Sequence, residues 1–304
     1  MAAKSRGHGR LYWQDTLYGY LFIAPVIISL VFLTVGPMLV SAYFSLTSYP
    51  LLTPPKFIAL KNYVDLFTKD KLFYQSLKVT FSYAAMALPL GLVCSLLTAV
   101  LLNQKVRGIP LFRTCFYLPN IVPGVASAVL WGWLLNPDWG LVNAVLKGLG
   151  LPTSRWLSEP SSALPSLVFM SLWGIGGTVI IFLAGLQAVP EEFYEAAKID
   201  GGNTWHLFRY ITLPLLTPTI FFNLVMGLIG TFQYFGTAYI LTKGGPLYAT
   251  YFYNLNLYDK AFKWLKMGYA SAMAWVLFGS VLVFTLLVFR SSSVWVYYEA
   301  EVRR

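Results

Sequence analysis

Long runs without a single charge alternate with short polar segments along the 304 residues. The charge-free runs occupy 16–55, 79–104, 114–137, 160–190, 210–242 and 267–289. Each holds the roughly 20 apolar residues that a helix needs to cross hydrocarbon. Six spans are predicted, near 17–43, 79–102, 114–136, 163–188, 214–240 and 267–289. The runs LVFLTVGPMLV and VLVFTLLVF show none of the residue-by-residue alternation of a membrane barrel strand. Backbone in lipid must satisfy its own hydrogen bonds, so the predicted fold is an all-α polytopic membrane protein with six transmembrane helices.

Composition agrees. The chain is 57% hydrophobic and 11% charged, with a mean hydropathy of +0.63. A soluble domain carries about a quarter charged residues. No segment between spans is long enough for a separate soluble module. Lys4, Arg6 and Arg10 precede an apolar run too long for a secretion signal, so the first span is expected to remain in the mature protein. Cys94 and Cys115 fall in or beside apolar runs and read as buried thiols. The net charge of +10 is scattered over the loops and forms no stripe suited to nucleic acid. With the N-terminus inside, the 22 Lys and Arg divide evenly, eleven to each side, so charge alone does not orient the chain.

Punctuation refines the spans. Pro25 and Pro37 predict kinks in the first, and YLPNIVPG, with Pro119, Asn120, Pro123 and Gly124, predicts a bent or broken third. Short surface helices are expected within 49–78 and within 138–160, the latter from Leu141, Val145 and Leu146. KGGPLYAT at 243–250 demands a turn, and Tyr248, Tyr251, Tyr253 and Tyr258 read as interface anchors.

The segment 190–214, PEEFYEAAKIDGGNTWHLFRYITLP, interrupts two apolar runs and looks built. Pro190 suits a helix start, and Glu191 and Glu192 suit its positive end. Phe193, Ala196 and Ala197 share a face, with Glu195 beside it. Gly201 and Gly202 end the helix, and Asn203 caps a second one carrying Trp205, Phe208 and Arg209, before Pro214 opens span five. A helix–turn–helix lying across the membrane face is predicted. It lacks the basic surface of a DNA reader.

In spans four and five the candidates for a polar pathway are few. Asn223, Gly227, Thr231 and Tyr234 fall on one helical face, with the amide of Gln233 nearby. Trp173, Gly174, Gly176 and Gly177 allow either close helix packing or a cavity walled by Trp173. Trp131 and Trp133 read as packing or interface residues. Charged groups are nearly absent from the spans, which argues against proton relay and for a neutral polar solute. No Walker loop is present, and His8 and His206 stand far apart, so neither a nucleotide nor a metal site is expected.

Glu195-Ala196-Ala197, then Gly201 after three residues, then Ile211-Thr212-Leu213-Pro214 after nine more, resembles the EAA loop of bacterial ABC importer permeases. The stretches 21–49, KNYVDLF at 61–67, FRTCFYLPN at 112–120 and LTKGGP at 241–246 are similar to MalF-like sugar permeases. The resemblance covers nearly the whole chain and implies a type I ABC importer permease in the bacterial inner membrane. It implies cytoplasmic termini, with 1–16 and 290–304 as terminal segments around a six-span domain at 17–289. It further implies that Glu195, Ala196, Ala197 and Gly201 dock into a cytosolic ATPase, with Asp200 and Arg209 supplying polar contacts. The partners so implied are a MalG-like second permease, two ATPase copies that use ATP and Mg, and an extracytoplasmic solute-binding protein. The cargo implied is a sugar or oligosaccharide. Glycerol phosphate remains an alternative, as do an amino-acid or phosphate importer and a non-transporting membrane scaffold.

Overall fold

In the computed structural model, which describes residues 8–297, every element but two short strands is helical. Lys4, Arg6, Arg303 and Arg304 of the expected terminal segments lie outside the described residues. Helices α1 (His8–Ser29) and α2 (Gly36–Ser45) run on through a π turn at Leu30–Val35. Pro37 cannot donate to that turn, and the Gly36 N–H reaches back to Val31 O, so the expected proline disturbance is a widened turn. Strands β1 (Thr47–Ser48) and β2 (Lys56–Phe57) pair antiparallel, with Thr47 opposite Phe57. The surface helix expected within 49–78 is α3 (Lys61–Thr68). Its buried Asn62 donates to Ser45 O and Thr47 O, each at 2.8 Å, satisfying carbonyls freed at the end of α2.

Helix α4 (Lys71–Leu102) is uninterrupted for 32 residues and is capped by Asp70, whose carboxylate accepts from the Leu72 and Phe73 N–H groups. Helices α5 (Ile109–Ile121) and α6 (Gly124–Leu134) meet at 99°, so the third span is broken where Pro123 was expected to break it. The outer helix expected within 138–160 is α7 (Leu141–Gly148). Its buried position is Asn143; Leu141 and Val145, expected to carry the apolar face, are exposed. Asn143 takes over because it ties three strands of loop: its amide donates to Pro137 O and Ser154 O and accepts from the Trp156 indole at 2.8 Å. Helix α8 (Pro160–Ser171) passes through a tight turn at Leu172–Gly174 into α9 (Gly176–Gln187), with a 50° bend.

The polar segment follows as α10 (Glu191–Ile199) and α11 (Thr204–Leu207), then a π turn at Phe208–Thr212 and the single turn α12 (Leu213–Leu215). Span five is not the one helix expected. It is divided into α13 (Thr217–Phe232) and α14 (Gly236–Leu241) by Gln233–Phe235. Helices α15 (Tyr253–Tyr258) and α16 (Met267–Trp295) complete the chain. Four helical stretches are long and apolar enough to cross a membrane, and the two bent pairs bring the total to as many as six.

The chain divides into two compact units. In the first, residues 8–66 with Lys260–Trp275, the apolar window of the leading helix has no buried residue and so offers its whole circumference to lipid or to other protein. In the second, Phe67–Asp259 with 276–297, α4 packs on α8, α9 and α13. One core there joins Tyr83, Trp131, Leu167 and Phe252; another joins Ala99, Phe182, Leu186 and Leu216. Two expectations about single residues are corrected. Tyr251 and Tyr253 are 3% and 2% exposed and belong inside, because Tyr251 donates to Asp259 and Tyr253 packs edge-on against Phe73; only Tyr248 stands out as an anchor would. Cys115, expected to be buried, is on the open side of α5, and both cysteines are free.

The crossing of spans three and four depends on Gly176, where an added Cβ would lie 2.5 Å from Phe116 O. At Gly174 an added Cβ meets nothing within 4 Å. Gly176→Ala is therefore expected to lower stability by ~1–3 kcal/mol through overpacking. Gly174→Ala should stay within ~0.5 kcal/mol. Denaturation in detergent micelles compares the two, and equal stabilities would contradict the packing assigned here.

Candidate functional site

The polar segment forms the helix–turn–helix expected from its sequence, and the structure shows how it is held. Helix α10 starts after Pro190 with Glu191 and Glu192 in its first turn and Lys198 in its last, both favourable to the helix dipole. It stops in a paired-bond glycine cap: Gly202 N–H returns to Ala197 O at 2.8 Å and Gly201 N–H to Lys198 O at 3.0 Å. Gly201 sits at φ +84°, where a side chain is strained. Asn203 then caps α11, its oxygen accepting from the His206 N–H at 2.9 Å. Phe208 and Arg209, expected on that second helix, lie in the π turn that continues it.

Two contacts brace α10, and a third closes the neighbouring loop. The Tyr194 hydroxyl meets Thr212 Oγ1 at 3.0 Å, joining α10 to the π turn that leads into span five. Lys105, in the loop after α4, pairs with Glu191 at 2.9 Å. Its ammonium holds the Glu191 carboxyl below the usual carboxylate range, and the carboxylate in turn raises Lys105. The pair therefore contributes fully between the ordinary carboxylate and ordinary lysine pKa values, and is lost as pH falls through the lowered Glu191 value or rises through the raised Lys105 value. Arg113 of α5 donates twice to Leu102 O, closing the end of α4 next to the same loop.

These contacts split α10 into two sides. Glu191, Tyr194, Glu195 and Lys198 line a polar cleft of about 630 Å³ shared with Asn103 and Lys105. On the other side Phe193, Ala196 and Ile199 follow a three-residue spacing and are exposed, Ile199 at 86%. Trp205 and Tyr210 are also open, at 67% and 68%. Thus Ala196 lies on an uncovered apolar stripe, Ala197 is half-buried above the glycine cap, and Glu195 faces the cleft. Asp200 and Arg209 are exposed, the latter over the Tyr210 ring at 5.6 Å. Sequence reasoning missed Ile199, Tyr210 and the Lys105 brace. An apolar Ile199 between Lys198 and Asp200 was the available signal; nothing local marks Lys105 as a partner of Glu191.

The residues proposed for a solute path divide differently. Asn223 is buried and donates to Thr219 O in its own helix at 2.9 Å. Gly227 admits Leu88 of α4, whose Cδ1 would stand 2.5 Å from an added Cβ. Both serve packing. Thr231 donates to Leu228 O at 3.0 Å, Gln233 is exposed, and Tyr234 lies past the end of α13. The single helical face expected for these residues therefore ends at the break. Tyr234 instead stacks near Tyr83 and Phe252, with centroids 4.4 and 4.8 Å away. Trp173 is on the bend of span four, 44% exposed and edge-on to Trp131. Gly174 is open, and Gly177 lies against Asn120. Trp131 is in the core, as expected, yet its buried indole N–H lacks a hydrogen-bond partner among the described residues. No group of three His, Cys, Asp or Glu suited to a metal occurs among the described residues.

If the glycine cap sets the pitch of α10, Gly201→Val costs ~1–2 kcal/mol from its left-handed backbone. Limited proteolysis of the 190–214 segment in nanodiscs should then accelerate roughly 5- to 30-fold. Gly201→Asn, which tolerates that conformation, should change cleavage far less. Equal cleavage of both variants and the parent would contradict the role of the cap.

Residues 81–295 match the family described as the inner membrane component of binding-protein-dependent transport systems. The chain is 47% identical to the probable ABC transporter permease protein YesP of Bacillus subtilis, over 95% of its own length and 94% of that protein. It is 32% identical to the trehalose/maltose transport system permease protein MalF of Thermococcus litoralis, over 91% and 94% of the two chains. A chain in the crystal structure of a bacterial alginate ABC transporter, in complex with an alginate pentasaccharide-bound periplasmic protein, superposes with a TM-score of 0.80. That chain is 24% identical, and the match covers 92% of this chain and 96% of that one. With its helical spans and its interrupted membrane-face segment, this chain belongs to the family of inner-membrane permease components of binding-protein-dependent ABC importers.

Proposed function

We propose that this permease carries a neutral sugar or oligosaccharide inward by alternating access, driven through α10 by a separate ATPase. The observation that carries the reading is the uncovered stripe of Phe193, Ala196 and Ile199 on a helix braced from its other side. An isolated nine-residue helix is marginal in water, so its glycine cap and its two side-chain links indicate a surface kept in shape for a partner. In this reading the stripe, with Trp205 and Tyr210, sits in a groove of the ATPase, and Glu195, Asp200 and Arg209 line its polar margin. Two ATPase copies use ATP and Mg. A MalG-like permease forms the other half of the translocation pathway, and an extracytoplasmic protein delivers cargo. Both termini and the 190–214 segment face the cytoplasm.

Force entering α10 has two routes into the spans. Tyr194 and Thr212 lead to span five, and Glu191 and Lys105 lead to the junction of spans two and three. Closure of the ATPase dimer would move these links together and shift a two-state bundle between its inward and outward forms. Support for a carbohydrate cargo comes from the trehalose/maltose permease and from a probable starch-degradation-product permease that is 29% identical. The structure supplies chemistry of the same kind. Trp173 offers a partly open ring face at the bend of span four. Thr231 and Gln233 bring a hydroxyl and an amide to the break in span five.

Ala196→Trp is expected to abolish co-purification of the ATPase and sugar uptake, while leaving the yield of folded permease intact. Retained association with normal uptake would overturn the coupling role. Gln233→Ala and Thr231→Val should each raise the half-saturating sugar concentration for uptake by about tenfold, equivalent to ~1.4 kcal/mol. Unchanged values for both would move the cargo path elsewhere.

A further inference from the structure

Within the second compact unit, the end of span six is tied to the beginning of span five, a junction that the transport reading above leaves aside. The last bond along α16 runs from the Val296 N–H to Ser292 O at 2.8 Å. The next donor leaves the helix. The Tyr297 N–H reaches Thr217 Oγ1 at 2.8 Å, across 80 residues of chain. Val296 is buried at the same point, and the Trp295 ring lies 6.1 Å from that of Phe221. Phe289, earlier in α16, meets Phe221 edge-on at 4.9 Å. Thr217 and Phe221 are four residues apart on one face of α13, so a backbone donor and two aromatic rings of α16 grip a single turn of span five.

Thr217 is where such a tie has most leverage. It stands at the elbow where α12 passes into α13, between Pro214 and Pro218. Pro218 has no N–H to close onto Pro214 O, and the Thr217 hydroxyl donates to that carbonyl at 2.6 Å instead. A hydroxyl carries one proton and two lone pairs, so Thr217 donates to Pro214 and accepts from Tyr297 at once. Pro214 follows Thr212 closely in the chain, and the Thr212 hydroxyl meets Tyr194 of α10 at 3.0 Å. Specific bonds therefore run from α10 through Thr212 and the proline elbow to the end of α16. The two routes traced above lead into span five and into the junction of spans two and three; this one continues into span six.

The tie uses the backbone of Tyr297 and not its ring, which is exposed. An N–H just past the end of a helix at a membrane face is readily left to water. Here it is committed to the one hydroxyl that already holds the elbow together. The aromatic grip on Phe221 keeps the two ends in register, so the hydrogen bond forms at a fixed place along both helices.

We propose that Thr217 and the Tyr297 N–H form a strap that positions span six on the elbow, so that a displacement of α10 carries the adjoining end of α16 with span five. Thr217 is a positioning residue in the transport cycle. The proposal rests on the alternating-access reading and adds to it the element that takes the motion into span six.

The test follows that end of α16 directly. Spin labels are attached at Val294→Cys, 89% exposed in its last turn, and at Leu101→Cys, 63% exposed at the α10 end of α4, with Cys94→Ala and Cys115→Ala in the background. Their separation is measured in the complete transporter in nanodiscs, first without nucleotide and then trapped with ATP, Mg and vanadate. The parent is expected to shift by several ångström on trapping. Tyr297→Pro, which removes the donor, and Thr217→Val, which removes the hydroxyl at nearly constant shape, should each reduce the shift to about half or less. Tyr297→Ala and Thr217→Ser keep the bond and should retain the shift. A full shift in both Tyr297→Pro and Thr217→Val, or none in the parent, overturns the strap and leaves the importer reading in place. An equal loss in Tyr297→Ala assigns the effect to the ring, and loss of the ATPase from the Tyr297→Pro complex assigns it to docking; either overturns the strap. A parent whose uptake of maltose, trehalose and starch oligosaccharides gains nothing from ATP overturns the importer reading and the strap with it.

Discussion

Within hydrocarbon every backbone N–H and C=O must find a partner inside the protein, and the structure is organised by where that demand is met and where it is relaxed. Helix α4 meets it over 32 residues save for the donor that Pro89 lacks, and α9 and α13 pack against it. Spans three, four and five relax it, at Val122–Pro123, at Ile175 and at Gln233–Phe235. Each break frees backbone groups, so each must be sheltered by neighbouring helices or face a polar cavity. The shelter is visible. Gly176 brings α9 against the backbone of Phe116, and Tyr83, Tyr234 and Phe252 close around the break in span five.

The same demand explains why polar chemistry gathers where it does. In the continuous helices, hydroxyls and amides turn back on their own carbonyls, as Asn223 does on Thr219 and Thr80 on Ser76. At the breaks the side chains escape that sink. Gln233 is open and Trp173 is partly open. These open groups are the ones on which the proposed cargo path draws.

Outside the hydrocarbon the chain uses a second device, short helices and loops given fixed shape by a few specific bonds. Helix α10 has its glycine cap, the Tyr194–Thr212 link and the Lys105–Glu191 pair. The 243–248 loop has the Thr242–Thr250 pair and the Tyr251 ring beneath Gly244. Such ordering is costly in conformational entropy, and on α10 it keeps in place the surface proposed for the ATPase.

The sequence by itself determined the solvent and the class. Runs of twenty uncharged apolar residues can only be helices in lipid, and proline and glycine spacing marked the break in span three and both ends of α10. The EAA spacing marked the family and singled out the segment proposed to meet the ATPase. Its failures share one cause. Asn223, Gly227 and Tyr234 were placed on one face by helical periodicity, which assumes that the helix continues. Tyr251 and Tyr253 were read as anchors from composition alone. Whether a residue lines a path, fills a core or braces a loop depends on what arrives from elsewhere in the chain. Leu88 fills the notch at Gly227, Lys105 crosses 86 residues to reach Glu191, and Gln75 crosses 173 to hold Tyr248. Local pattern fixes which element forms because its hydrogen bonds are local; tertiary structure fixes the duty of each side chain because packing and pairing partners are remote.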